Sequence, residues 1–149
     1  MLRVFLDANV YFAGSASPTG GSALILRLIL KGRIEATASR LVLREAERNL
    51  RRKRPPTDLK AFHQFLKHAK LRVIRTPPET VWKRYESVIH PKDVPVLAAA
   101  VASKAAYLIT LDRRHFLTKT VTEKVPELTI LTPGGFLREL VRQAAPTSP

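Results

Sequence analysis

The stretch Leu2-Arg3-Val4-Phe5-Leu6-Asp7 decides the fold, because it is a short, largely apolar run that ends in an acid. A run of this length suits a buried strand better than a helix. Four more short strands are predicted at 34–38, 71–74, 107–110 and 128–131. Strands that alternate with helical segments are typical of a parallel sheet covered on both faces. The sequence therefore predicts an α/β fold, a three-layer sandwich with a mostly parallel central sheet flanked by helices.

The helical segments carry start and stop signals. Ser39 is a good N-cap for a helix over 40–51, and two prolines open a helix over 77–88. The segment 93–104 is nearly all apolar, so we expect it to be a central, buried helix. The segment 14–21 is rich in glycine, serine and proline, and this composition predicts a loop.

The length and composition are those of one globular domain. The chain has 149 residues, of which 45% are hydrophobic and 26% charged, which excludes a disordered chain or a fibre. We expect a single domain over 1–145 and a frayed tail over 146–149. Because the chain has no cysteine, disulfides, zinc fingers and cysteine nucleophiles are excluded. With no secretion signal and no apolar run long enough for a bilayer, we expect a cytoplasmic protein without membrane association.

Positive charge is concentrated in one part of the chain. The net charge is +14, and the segment 27–75 contributes +11 of it. Its densest point is Arg51-Arg52-Lys53-Arg54, which alone could be a solvated helix end, since basic residues favour the last helical turn. The whole segment favours a nucleic acid partner, with an acidic protein as the second choice.

Acids follow two of the predicted strands at the point where each strand ends. Asp7 follows the first strand directly, and Asp112 follows the strand over 107–110 after one intervening residue. Each acid alone could cap a turn or the next helix. The carboxyl ends of parallel strands meet at one edge of the sheet, where α/β proteins bind ligands. Two acids at this edge therefore indicate a functional site.

Asp93 and one acid of the helix over 40–51 could also lie at this edge. Asp93 precedes the buried helix, where a capping role would leave an oxygen free for a metal. Glu45 and Glu47 flank the apolar side of the helix over 40–51 about equally, and periodicity does not choose between them. Clustered carboxylates raise each other's pKa unless a cation lies among them. Oxygen ligands suit Mg²⁺ or Mn²⁺, and such a metal in a basic protein fits phosphodiester hydrolysis.

Four motifs resemble those of the PIN domain nucleases, in particular the toxin-like branch that includes the VapC-type ribonucleases. In chain order they are VFLDANV at 4–10, SRLVLREA at 39–46, KDVPVLAAA at 92–100 and LITLD at 108–112. The resemblance extends to the helix after Pro133 and selects Glu45 over Glu47. It implies a metal-dependent ribonuclease with Mg²⁺ or Mn²⁺ held by four acids. These acids are Asp7, Glu45, Asp93 and Asp112.

The resemblance also implies roles and partners. Asp7 and Asp93 would bind the metal, directly or through water, and Asp112 would complete the site. Glu45 would orient or deprotonate the attacking water, or bind a second metal, and the sequence does not separate these roles. The implied partners are an RNA substrate, a second copy of the chain in a homodimer, and an antitoxin that blocks the site.

Other residues near the motifs receive supporting roles. Asn9 and Thr110 are expected to position carboxylates or water by hydrogen bonds. His115, although near the site, is interpreted as a surface or packing residue, and Tyr11 or Phe12 could stack on a base. The residues expected to contact RNA phosphates are Arg44, Arg48, Arg51, Arg52, Lys53, Arg54, Arg113 and Arg114.

The main alternative is a non-catalytic RNA-binding module with the same fold. A module that only binds phosphates gains nothing from four acids, which argues against it. A phosphatase with Asp7 as nucleophile would need a second aspartate where this chain has Asn9. A receiver domain would need an acidic pair before its phosphorylated aspartate and would not carry so high a positive charge.

Overall fold

Five strands form one sheet in the computed structural model, which describes residues 1–145. The strands are β1 Arg3–Leu6, β2 Glu35–Ser39, β3 Arg72–Ile74, β4 Tyr107–Ile109 and β5 Thr129–Leu131. Their order is β3-β2-β1-β4-β5, and all four neighbouring pairs are parallel. The predicted strands and the α/β fold are confirmed, with a fully parallel sheet in this part of the chain. The tail predicted at 146–149 lies outside the described residues.

Helices flank the sheet. Within residues 1–145 they are α1 Ala8–Ala16, α2 Gly21–Leu30, α3 Arg40–Lys53, α4 Pro56–His68, α5 Glu79–Trp82, α6 Val94–Ala102, α7 Arg113–Phe116, α8 Lys119–Lys124 and α9 Pro133–Ala144. α1 contacts α2, α3 and α4, and α9 joins this group through α2. α5 contacts α6, which packs on β2. No helix in the described part of the chain is long and apolar enough to span a membrane.

The core lies around the two central strands. Val4, Phe5 and Leu6 of β1 have no solvent exposure, and neither have Leu108 and Ile109 of β4. Strands that are buried on both faces are continuously apolar in sequence, which explains why β1 was recognisable. α6 is buried on most sides, as its composition predicts.

Local signals place α3 correctly. The Ser39 hydroxyl accepts a hydrogen bond from the Val42 amide at 3.3 Å, and α3 begins at the next residue, Arg40. This is the capping arrangement expected for a serine at this position, because it satisfies one of the free amides of the first turn. The helix continues to Lys53, two residues beyond the predicted end.

Two predicted segments differ from the structure. The loop predicted at 14–21 is wrong in its first part, since α1 continues through Ala16. Gly14 is where α2 approaches α1: a Cβ on Gly14 would lie 2.5 Å from Leu26 Cδ1. The helix predicted over 77–88 is limited to α5 and a 3₁₀ turn, Lys83–Tyr85, which brings Tyr85 into the core. In both segments tertiary packing overrides local composition.

The strand order also positions a binding crevice. Successive strands run outward from β1 to β2 and β3, and the chain then returns to add β4 and β5 on the other side of β1. The crevice at such a reversal, beyond the carboxyl ends of the strands, is where open α/β sheets bind ligands. In this chain the crevice lies between the carboxyl ends of β1 and β4, and Asp7 and Asp112 come shortly after these strands in the sequence.

Candidate active site at the carboxyl edge of the sheet

A cavity of about 230 Å³ lies at the predicted edge. The four predicted acids, Asp7, Glu45, Asp93 and Asp112, all line it. Glu47 does not: it accepts a hydrogen bond from Arg51 at 2.9 Å instead. The choice that periodicity left open is therefore made by the fold, because only Glu45 of the two faces the end of β1.

Asp7 is held by a network that joins the ends of β1 and β4. Its Oδ1 accepts from the Ala8 amide at 2.8 Å, and its Oδ2 accepts from the Thr110 hydroxyl at 2.8 Å and from Asn9 Nδ2 at 3.2 Å. The Thr110 oxygen in turn accepts from the Asp112 amide at 3.0 Å. Asn9 and Thr110, expected to position carboxylates, thus both contact Asp7.

Two of the acids have unusual acidity. Burial raises the pKa of Asp7 from 3.8 to about 6, although hydrogen bonds from Thr110 and Ala8 act in the opposite direction. The Glu45 carboxylate adds to the increase. Burial likewise raises the pKa of Asp93, whereas the neighbouring His115 lowers it. A site that concentrates carboxylates out of water in this way is stabilised when a cation enters it.

The donor set fits a divalent cation. Asp93, Asp112 and His115 each offer a ligand atom, and these atoms lie within 4.8 Å of one another. Asp93 occupies the N-cap position of α6 without making a capping hydrogen bond. Its Oδ2 lies 3.2 Å from His115 Nδ1, yet it is buried and has no hydrogen-bond partner in the described residues. Since a buried carboxylate oxygen normally has a partner, this orphaned atom favours a cation there.

His115 is the residue that sequence reasoning missed. Its Nδ1 lies 3.0 Å from Asp112 Oδ2, and its ring stacks on His90 with the centroids 5.2 Å apart. His115 thus contacts two of the predicted acids, which its interpretation as a surface or packing residue did not foresee. The signal was its position three residues after Asp112, which places both side chains on one turn of α7.

The cavity has further lining residues. Lys92 precedes Asp93, and Asn49 and Lys53 follow Glu45 on α3 at intervals of four. That spacing puts all three α3 side chains on one stripe, which the sequence could have revealed once Glu45 was chosen. Lys53 is thus the residue of the basic run 51–54 that lines the cavity.

The other predicted RNA-contacting residues lie elsewhere. Arg51 pairs with Glu47, and Arg54 pairs with Asp58 at 2.9 Å. Arg113 lines a neighbouring cavity. Those with exposed side chains outside the candidate site are Arg44, Arg48, Arg52 and Arg114.

The two aromatic residues considered for base stacking lie in different surroundings. Tyr11 has no solvent exposure and packs against Phe62 and Phe65, so its predicted contact with a base is wrong. Tyr11 lies on the side of α1 that packs against α4. Phe12 is half-buried and lines the cavity.

Comparisons with solved structures support the fold. A chain in the crystal structure of VapBC2 from Rickettsia felis bound to a DNA fragment from their promoter superposes with a TM-score of 0.64 and 16% identity. The match covers 88% of this chain and 98% of that one. A chain in the structure of FitAB bound to the IR36 DNA fragment gives a TM-score of 0.58 and 15% identity, over 87% and 94% of the two chains. No curated protein matches in sequence.

The family assignment comes from the sequence itself. The family model described as PIN domain matches residues 3–114. This match contains all four acids and runs from β1 to the first turn after β4. The match spans well over half of the chain, and the chain therefore belongs to the PIN domain family.

Proposed function

We propose that this chain is a metal-dependent nuclease that hydrolyses phosphodiester bonds in RNA. The observation that carries the proposal is the convergence of Asp7, Glu45, Asp93 and Asp112 on one cavity, with two of them buried enough to raise their pKa. Membership of a nuclease family supports it. A fold that only bound RNA would gain nothing from four carboxylates that converge on one cavity of a chain with a net charge of +14.

The residues at the site have different roles in this proposal. Asp93 and Asp112, with Asp7 beside them, would hold Mg²⁺ or Mn²⁺, and His115 borders the same position. When bound, the ion would offset negative charge on the phosphate and activate water for attack. Thr110 keeps Asp7 oriented through its hydroxyl. Burial of Asp7 removes its carboxylate from water, which would strengthen its interaction with a cation.

Glu45 is the general base in this proposal. It lines the cavity from α3, whereas the two acids closest to His115 come from the segments around α6 and α7. From this position its carboxylate can accept the proton of an attacking water. Lys53 on the same helix and Lys92 beside Asp93 would bind phosphates on either side of the acids.

We further propose that the chain is the toxin of a toxin–antitoxin pair, that it forms a homodimer and that an antitoxin covers the site. The support is the resemblance of the four motifs to the VapC-type branch. The likeness to chains of VapBC2 and FitAB points in the same direction.

The decisive experiment incubates purified protein with a mixed RNA pool in Mg²⁺, Mn²⁺ or EDTA. We expect cleavage that requires metal and is lost in Asp7→Asn, Asp93→Asn and Glu45→Gln. Glu47→Gln, on the same helix but outside the cavity, is the matched control and should cleave normally.

Two results would contradict the proposal. Cleavage that persists in EDTA or in Asp93→Asn would place the activity outside this site. Metal-independent RNA binding without cleavage of the pool would support the non-catalytic RNA-binding module.

A further inference from the structure

A second cavity, of about 300 Å³, adjoins the candidate active site. Leu111 and Arg113 line it, and Asp112 between them lines the first cavity, so the segment after β4 separates the two. Its opposite wall is formed by the first residues of α2 and α9, Gly21 and Gly134 among them. This cavity plays no part in the proposed chemistry and has no assigned ligand.

Free backbone amides point to an anion. α2 begins after Gly20 without a side-chain cap, and its first backbone bond runs from the Leu24 amide to the Gly20 carbonyl. The amides of 21–23 therefore have no acceptor within the helix. On α9, Thr132 caps the Gly135 amide at 3.1 Å, which leaves the Gly134 amide free within the helix. Free amides and the helix dipole both favour a negatively charged ligand at these ends.

The two helix ends lie against each other. A Cβ on Gly21 would be 3.2 Å from Pro133 Cβ and 3.6 Å from the Gly134 nitrogen. A residue larger than glycine at position 21 would therefore crowd the start of α9. The free amides of both helices consequently adjoin one cavity and could bind the same anion.

Ser22 gives an independent indication of a ligand. Its side chain lines the cavity and is only 8% exposed, yet its hydroxyl makes no hydrogen bond within residues 1–145. The hydroxyl is not fully enclosed, so it is a donor without a protein partner in the described residues that a ligand in the cavity can reach. An anionic oxygen in the cavity would accept its proton and supply the missing bond.

The charged residues around the cavity also favour an anionic ligand. Arg113 and Arg138 line it, both are exposed, and neither is in an ion pair in the described part of the chain. By contrast, Arg142, one turn further along α9, pairs with Glu139. None of the described residues that line the cavity is acidic. Two free guanidinium groups provide the planar donors that suit phosphate oxygens.

We propose that this cavity binds a phosphate of the RNA strand adjacent to the phosphate that is cleaved. The RNA part of this inference rests on the proposed function, whereas the phosphate site rests on the residues named above. Because the cavity lies on one side of Asp112 only, it would fix the direction in which the strand crosses the active site. It would also require a substrate to extend beyond the cleaved bond on that side.

The first test titrates inorganic phosphate into ¹⁵N-labelled protein and follows the backbone amides by NMR. We expect the amide signals of Gly21, Ser22 and Gly134 to shift together in the wild type and to stay fixed in Ser22→Asp. An acid in the first turn stabilises a helix, so Ser22→Asp is expected to fold while it repels phosphate. Arg142→Gln should respond like the wild type. Equal shifts in Ser22→Asp, or shifts only elsewhere, would overturn the proposal.

The second test measures binding of single-stranded RNA in which one phosphate at a time is a neutral methylphosphonate, with Asp93→Asn present to prevent cleavage. One position should weaken binding about tenfold, and Arg138→Gln should remove the effect of that position alone. The same scan in Arg142→Gln is the control. If Arg138→Gln changes no position, the cavity does not hold the strand.

The two tests separate this inference from the proposed function. Phosphate-dependent shifts without RNA cleavage would contradict the nuclease and leave the anion site in place. Cleavage by the wild type together with silent amides would contradict the anion site and leave the nuclease in place.

Discussion

At the scale of single residues, Asp7 shows most directly why a cation would stabilise the site. Asp7 is 7% exposed, and burial raises its pKa despite the opposing hydrogen bonds from Thr110 and Ala8. The sequence could reveal that an acid follows β1. It could not reveal the opposition between burial and hydrogen bonding at Asp7, because the elements that bury this residue lie far along the chain. Only folding brings Asp7 close enough to Glu45, Asp93 and Thr110 for them to affect its pKa.

The raised pKa makes Asp7 a liability for stability at neutral pH. The folded state binds the Asp7 proton more tightly than the unfolded chain does. Protonation of Asp7 therefore stabilises the fold fully below pH 3.8, and this stabilisation is lost as the pH rises through about 6. Without metal, Asp7→Asn should therefore be more stable than the wild type at about pH 7.5, by on the order of 2–3 kcal/mol. Urea unfolding in EDTA measures this. Near pH 4 the difference should shrink, and a less stable variant at neutral pH would contradict it.

Thr110 should control how readily Asp7 ionises. Thr110→Val removes the hydroxyl that donates to Asp7 Oδ2 and keeps the side chain's shape. The pKa of Asp7 should rise further, so protons should compete better with the metal. We expect Mn²⁺ affinity, measured by EPR titration, to fall several-fold below about pH 7 and less above it. Thr110→Ser keeps the donor and should bind Mn²⁺ like the wild type; an equal loss in both variants would indicate a packing effect instead.

At the scale of elements, α3 shows how far a local pattern can be interpreted. Ser39 defined the start of the helix, and its apolar positions defined the buried side. The choice of Glu45 needed the position of β1 relative to the helix, which no periodicity within α3 contains. The same limit applies to the basic run 51–54, of which only Lys53 lies on the stripe that lines the cavity.

Lys53 should consequently matter for substrate binding. Lys53→Gln removes one charge from the cavity wall, and we expect RNA to bind about threefold to tenfold more weakly at low salt. Lys60→Gln removes an equal charge from the exposed side of α4 and is the matched control. Filter binding with the cleavage-deficient Asp93→Asn protein gives the comparison. Equal losses in both variants would mean that overall charge, rather than the cavity, holds the RNA.

The contact of α1 with α2 explains the loop that was predicted wrongly. Gly14 suggested a turn, but in the structure it allows close packing of two helices. Gly14→Ala would place a methyl group 2.5 Å from Leu26 Cδ1 and 3.1 Å from the Ser22 carbonyl, and we expect a loss of about 1–3 kcal/mol in unfolding free energy. Gly134→Ala, whose methyl group would meet only the end of the exposed Arg138 side chain, should change stability by less than about 0.5 kcal/mol in the same urea titration. Similar losses in both would show that helix packing at Gly14 is not the cause.

At the scale of the whole molecule, chain topology and charge were predictable to different degrees. Alternating strands and helices require a parallel sheet, and the carboxyl edge then follows for Asp7 and Asp112. The distribution of positive charge over the folded surface could not be predicted, because Arg51 and Arg54 pair with acids while Arg113 and Arg138 have no ion pair within residues 1–145. The homodimer, the antitoxin and the single-domain boundary at 145 stay predictions.

The salt dependence of RNA binding should distinguish a defined track from a diffuse attraction to the net charge of +14. The two cavities offer four basic residues: Lys53, Lys92, Arg113 and Arg138. If each contacts one phosphate, a log–log plot of affinity against salt for single-stranded RNA should have a slope of about −3, and each removal should reduce it by about 0.7. Fluorescence anisotropy with the Asp93→Asn protein, alone and with Lys53→Gln or Arg138→Gln added, measures these slopes. A diffuse attraction would leave the slope nearly unchanged when any one of the four is replaced, and that result would contradict both the nuclease cavity and its neighbouring phosphate site as the path of the strand.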